Sequence, residues 1–167
     1  MSGLPDLLAE NLGLVFVGYN PGERSEQLGH HFAGRNNQFW QLLHDSGLTA
    51  RRFPPEDDQL LLPAGIGLTN LVDRMTRSSA DLTPADLKAG AETLRSKLDH
   101  FRPAVVCFLG KEIYRHYAGL KPSYAIEYGL VKAGPPRLFV APNPSGRSTV
   151  KYETKLALFS QLRDVID

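Results

Sequence analysis

Cysteine is nearly absent from this chain: Cys107 is alone among 167 residues. One thiol cannot form an internal disulfide, and it cannot supply the several thiolates that a structural zinc or an iron–sulfur cluster needs. Long apolar runs are missing too. The longest fall well short of the roughly 20 residues that cross a bilayer, and Met1-Ser-Gly-Leu-Pro-Asp6 has no basic stretch leading into an apolar segment. A reducing, cytoplasmic setting and no membrane contact are the expectation. Nor is there a surplus of charge, since 19 Lys and Arg stand against 18 Asp and Glu for a net +1. A strongly basic domain would announce nucleic acid by itself, and this one does not. Any polyanion contact has to come from local patches, of which Arg74 with Arg77, and Arg147 with Lys151 and Lys155, are the candidates.

With 42% hydrophobic residues, the chain matches one domain spanning residues 1–167, expected to act as a monomer. Internal repeats, low-complexity tracts and linkers are absent. Leu14-Val-Phe-Val-Gly18 is a short apolar run stopped by the turn formers Asn20-Pro-Gly22, which predicts a buried strand emptying into a loop. Phe39, Trp40, Leu42 and Leu43 share one helical face after an Asn cap at residues 36–37, ending at Gly47. Residues 49–64 read as a connection with a short helix near Gln59 to Leu62. Gly65 to Leu71 reads as a second strand delivering Thr69, Asn70, Asp73 and Arg74 to a loop.

Thr83, Pro84 and Asp86 open a helix whose stripe is Leu87, Ala91, Leu94, Leu98 and Phe101. Ala104 to Leu109 is a third strand, followed by a helix from Lys111 to about Tyr117. Arg137 to Ala141 is another strand, and Leu156, Phe159, Leu162 and Ile166 mark the last helix. Continuous apolar strands alternating with helices predict an α/β fold, a three-layer α/β/α sandwich on a mostly parallel sheet. Ligands of such sheets bind beyond the carboxyl ends of the strands. Four candidate loops converge there if the strands are parallel: 18–22, 69–74, 110–111 and 143–147.

Gly18-Tyr-Asn-Pro-Gly22 and Asn143-Pro-Ser-Gly146 resemble the two signatures of the mismatch-specific uracil/thymine DNA glycosylases. His31-Phe-Ala-Gly-Arg-Asn-Asn-Gln-Phe-Trp40, Leu71-Val-Asp-Arg74 and Leu109-Gly-Lys111 follow in that family's order and at about its spacing. Together they cover roughly Leu14 to Lys155, and five ordered motifs on one sheet edge are far more specific than an isolated Asn-Pro-Gly turn. The resemblance implies a uracil-DNA glycosylase-like fold and a monofunctional glycosylase. Such an enzyme excises uracil from G mismatches in double-stranded DNA by base flipping, with thymine and ethenocytosine left open as substrates. It also implies no cofactor and no metal cluster.

Cleaving a deoxynucleoside requires stabilising an oxocarbenium-like sugar, placing a water beneath C1′ and accepting charge on the departing base. Asn20, where the family places its catalytic residue, can orient water through its amide oxygen. An amide cannot take a proton at neutral pH, so slow turnover and dependence on good leaving groups are expected. Gly18 and Gly22 would let backbone approach a flat base. Phe32 lies where the family stacks an aromatic ring on the extruded base, Tyr19 and Ser25 match positions lining the base pocket, and Asn143 matches one near the base's carbonyl oxygen.

Ser145, Gly146, Arg147, Ser148 and Lys151 match the segment that enters DNA. Arg147 occupies the position that fills the gap in the stack, and a guanidinium there can stack and hydrogen-bond the orphaned guanine. His30-His31 lacks further ligands at metal spacing, Ser145 is not in a Gly-x-Ser-x-Gly elbow, and Asp73 is a candidate auxiliary acid or a partner for Arg74. Three other readings fit the same residues: a non-catalytic module that binds lesions or abasic sites, a single-strand-selective uracil glycosylase, and a flavodoxin-like nucleotide-binding domain. The second would open its second motif with His-Pro-Ser where Asn143-Pro-Ser stands. Against the third, Pro21 removes an N–H donor that a phosphate-cradling loop needs.

Overall fold

The structure, a computed structural model, describes residues 4–166. Its elements in chain order are β1 (Leu14–Gly18), α1 (Glu23–Leu28), α2 (Phe39–Asp45), β2 (Ile66–Asn70), α3 (Pro84–Phe101), β3 (Val105–Phe108), α4 (Lys111–Ala118), β4 (Gly129–Lys132), β5 (Arg137–Val140) and α5 (Tyr152–Ile166), with short 3-10 turns at Pro55–Leu61 and Ser79–Asp81. The sheet order is β2-β1-β3-β5-β4. All pairs are parallel except β4 with β5, which gives the expected α/β/α sandwich.

β1 and β3 feed both faces of the sheet, and this is why their sequences are apolar without alternation. Leu14, Phe16, Val105 and Cys107 join the core beneath α2 and α5, while Val15, Val17, Val106 and Phe108 join the core beneath α3 and α4. Burial pushes the Cys107 thiol up, as an inert core sulfur requires. α3 is opened by a full capping box: Thr83 Oγ1 accepts from Asp86 N–H, and the Asp86 carboxylate accepts from Thr83 N–H.

Two elements differ from the sequence expectations. The loop after β1 contains the six-residue helix α1, which carries no apolar stripe to announce it. β4 pairs antiparallel to β5 with a register irregularity between Leu130 and Lys132, an edge position where half-exposed residues suffice. The opposite edge is covered by a backbone bridge between Leu7 and Leu68. Among the described residues no helix is long and apolar enough to cross a membrane.

Candidate active site

Parallel pairing puts the carboxyl ends of β1, β2, β3 and β5 on one edge, and the predicted loops do meet there. The loop after β2 is seated by α3: a Cβ on Gly90 would lie 2.2 Å from the Leu71 carbonyl oxygen, so only glycine lets the helix press on this backbone. Leu71 and Val72 N–H groups donate to the carbonyls of Gly18 and Tyr19, which locks the loop after β2 to the loop after β1.

That lock brings Thr76 to Asn20. Asn20 Nδ2 donates to Arg74 O at 2.9 Å and to Thr76 Oγ1 at 2.7 Å. The carbonyl can only accept. Thr76 Oγ1 donates its own proton to Ser78 O at 2.6 Å, so toward Asn20 it too accepts. Two acceptors therefore determine which end of the amide faces inward, and among the described residues Oδ1 meets no donor, which leaves it able to hold a water. Sequence reading named Asn20 but not Thr76, whose contact spans 56 residues of chain.

Phe32 is held against Gly18 by a heavily bonded loop. Its φ of 51° is left-handed, an arrangement costing a non-glycine residue about 1–3 kcal/mol, and one that persists only where neighbours over-determine it. They do so here. His31 N–H donates to Asp58 Oδ2, Trp40 Nε1 donates to His31 O, Ala33 N–H donates to Ser25 Oγ, and Arg24 Nε donates to Ala33 O. The Phe32 ring stacks on Phe39 with centroids 4.1 Å apart, and its edge faces Gly18, where a Cβ would sit 3.6 Å from Phe32 Cζ and 2.6 Å from Asn70 Oδ1. Gly18 is thus required by packing. At Gly22 a Cβ would meet nothing within 4 Å.

Two of the residues expected to line the base pocket, Ser25 and Tyr19, have partners elsewhere in the fold. Ser25 is buried, and its hydroxyl holds Ala33 rather than facing a cavity. The Tyr19 ring turns to the other face of the sheet, edge-on to His116 of α4 at 6.3 Å, where burial and then the Glu112 charge raise its hydroxyl pKa. Asn70, buried at the end of β2 against Gly18, is a polar group at the site that sequence reading delivered to the loop without assigning it a role.

The 143–147 loop docks onto the start of α2. Asn143 Oδ1 accepts from Ser145 N–H at 2.8 Å, which leaves the Asn143 amide N–H groups outward. Pro144 O accepts from Gln38 N–H, and a Cβ on Gly146 would lie 2.6 Å from Asn36 O. Asn143, Gly146, Arg147 and Lys151 are exposed. Ser145 Oγ accepts from Arg147 N–H and Ser148 Oγ from Val150 N–H, so both hydroxyl protons remain for a partner.

The basic patches need correction. Arg74 pairs with Asp86 at 2.8 Å and holds that carboxyl down to about 2, and Arg77 pairs with Glu23. Asp73 pairs not with Arg74 but with Lys97, which also binds Asp6 at 2.6 Å. Burial pushes the Lys97 ammonium down, but the hydrogen bond and charge of Asp6, with those of Asp73, outweigh it and hold the group above its ordinary value. Lys155, expected on a basic surface, is 1% exposed.

The adjoining cavity, about 700 Å³, is lined by Phe32, Trp40 and Phe53 with Arg24, Arg35 and Arg52 among others. Asn20, Gly18 and Asn143 do not line it. Arg35 and Arg52 make no ion pair among the described residues, so this cavity is a source of positive potential that the motif reading did not contain. His30 pairs with Asp58. His31 Nε2 bonds Pro5 O at 2.8 Å. Both histidines thus have structural partners, and among the described residues no group of three or more His, Cys, Asp or Glu could hold a metal ion.

Two comparisons with known proteins bear on the fold and the family. A solution NMR structure of a Methanosarcina acetivorans protein, provisionally named a uracil DNA glycosylase, superposes with a TM-score of 0.57 at 19% identity over 96% of this chain and 97% of that one. At that identity the likeness establishes the fold. The family model described as the uracil DNA glycosylase superfamily matches residues 5–166. This chain belongs to the uracil DNA glycosylase superfamily.

Proposed function

We propose that the protein is a monofunctional DNA glycosylase that hydrolyses the N-glycosidic bond of uracil mispaired with guanine in duplex DNA, opening base excision repair. The observation that carries this reading is the orientation of the Asn20 amide, whose nitrogen is occupied by Arg74 O and Thr76 Oγ1 while Oδ1 meets no donor among the described residues. A water donating one hydrogen to Oδ1 has a lone pair to direct at C1′ of an extruded nucleotide. The amide accepts no proton, so the water becomes nucleophilic only as the sugar gains oxocarbenium character. The rate then rests on how well the departing base carries negative charge, and uracil carries it better than an unmodified cytosine.

The remaining residues suit the other requirements. Phe32 offers a ring edge and face beside Gly18 for stacking, and the outward amide N–H groups of Asn143 can donate to a base carbonyl oxygen that is gaining charge. Arg147, exposed at the tip of its loop, fills the vacated stack and hydrogen-bonds the orphaned guanine. Ser148, Lys151 and the unpaired Arg35 and Arg52 receive phosphates. Flipping costs less at a mismatch, which itself favours U·G over U·A.

The deciding experiment is single-turnover base release from U·G, U·A, T·G and ethenocytosine·G duplexes and from single-stranded uracil, for wild type and Asn20→Ala. Wild type is expected to release uracil fastest from U·G. Asn20→Ala is expected to lose more than about 100-fold in rate with duplex affinity kept, the scale seen when a positioned polar group is removed. A shifted band with no alkali-labile product identifies a lesion-binding module instead. Fastest release from single strands identifies the single-strand-selective kind.

A further inference from the structure

The last helix buries a cation that the proposed chemistry does not use. Lys155 lies on the same buried face as Leu158, Phe159 and Leu162, a place where apolar side chains are the rule. Its ammonium makes no ion pair with a carboxylate among the described residues. Nζ donates to Gln38 Oε1 at 2.8 Å and to Ser145 O at 3.3 Å, both neutral acceptors. Burial accordingly pushes its pKa down. A buried charge without a counter-charge is costly, so its hydrogen bonds must secure something that apolar packing would not.

What they secure is one side of the 143–147 loop. Three consecutive residues are seated: Pro144 O on Gln38 N–H, Ser145 O on the Lys155 ammonium, and Gly146 flat against Asn36. Gln38 serves twice, since its backbone holds Pro144 and its side chain holds Lys155. The next residue, Arg147, is exposed, and among the described residues its one hydrogen bond is from its N–H to Ser145 Oγ at 3.2 Å. The clamp therefore ends one residue before the side chain assigned to the base stack. Its cation also lies directly behind the loop backbone, on the side away from solvent.

We infer that Lys155 is a positioning residue: its buried ammonium, shared between Gln38 and Ser145, holds the 143–147 loop so that Arg147 is presented to DNA in one orientation. This rests on the reading of that loop as the segment that enters DNA, and it differs from a phosphate contact, because a side chain 1% exposed cannot reach one.

The test uses Lys155→Met, which keeps the length and removes the donors, beside Lys155→Arg, which keeps charge and donors, and Lys151→Met as a surface control. In the free protein, amide hydrogen exchange at Arg147 is expected to speed up about tenfold in Lys155→Met and to stay near wild type in Lys155→Arg. U·G duplex affinity is expected to fall about tenfold in Lys155→Met with the salt dependence unchanged, whereas Lys151→Met lowers the salt slope by about one phosphate contact. In an Arg147→Ala background, Lys155→Met is expected to cost less than about twofold more, because both changes remove the same interaction. Unchanged exchange at Arg147, a reduced salt slope in Lys155→Met, or losses that add to those of Arg147→Ala would each overturn the assignment. If Lys155→Met does not fold, Lys155→Gln, which retains a single donor group, carries the same three readouts. A wild-type protein that binds no U·G duplex refutes the glycosylase reading, while the exchange measurement still decides the clamp.

Discussion

Thr76→Val separates the orientation of Asn20 from its mere presence. The change keeps the shape of a residue 8% exposed but deletes two hydrogen bonds, the 2.7 Å acceptance from Asn20 Nδ2 and the 2.6 Å donation to Ser78 O. At about 1 kcal/mol net for each, stability should fall by about 2 kcal/mol. Of the two acceptors that hold the amide, only Arg74 O at 2.9 Å remains. The preference for Oδ1 outward weakens by that one lost bond, about 1 kcal/mol, and the amide is free to swing. A displacement approaching 1 Å at a water-positioning group can cost about 100-fold, so single-turnover uracil release should drop about 10- to 100-fold.

The assay is rapid-quench base release from a U·G duplex at saturating enzyme, paired with a binding isotherm. Duplex affinity should not move, because Thr76 has almost no surface to offer DNA. Thr76→Ser, which retains the hydroxyl, should stay within about threefold of wild type. Full release by Thr76→Val with the expected stability loss would show that Thr76 does not orient Asn20. Slowing of the serine variant as large as that of the valine variant would show that the hydroxyl alone does not set the orientation, because serine keeps the hydroxyl and loses only the methyl.

Gly146→Ala should impair DNA binding more than folding. The added Cβ would meet Asn36 O at 2.6 Å and Asn36 Cβ at 2.7 Å, and the loop, being the freer side, must give way. Weakening of U·G binding of about tenfold with a melting temperature within a few degrees is expected, and unaltered affinity would refute the close docking. Acid should destabilise the protein through His31. The residue is 3% exposed, its burial holds the imidazolium pKa below the ordinary 6.5, and the Pro5 carbonyl, Asp58 and Asp6 oppose this only in part. Above 6.5 both the folded and unfolded forms are neutral there. Below it the unfolded chain takes up the proton first, so stability is lost as pH falls, until the folded histidine protonates too. Urea midpoints at about pH 8 and about pH 5 should differ less in His31→Gln than in wild type, and equal differences would remove His31 as the cause.

The strands β1, β3 and β5, the helix α3 with its capping box and the order of the loops were legible in the residues, because continuous apolar runs, a Thr-Pro-x-Asp start and glycine stops are local signals. The helix α1 and the edge strand β4 were not, since one has no apolar stripe and the other gains its stability from a neighbour rather than from its own pattern. The same division runs through the site. Asn20, Phe32, Asn143 and Arg147, to which roles are proposed, stand out in motifs. Which end of the Asn20 amide faces outward was not, because it depends on Thr76, 56 residues away in sequence. Lys155 shows the reverse case: in sequence it belongs with Arg147 and Lys151 as a surface cation, and only helix phase and the approach of α2 turn it inward. Sequence by itself named the chemical groups proposed here to cleave a glycosidic bond. Tertiary structure alone decided which of them touch, since hydrogen-bond direction and burial arise only when distant segments are brought into contact.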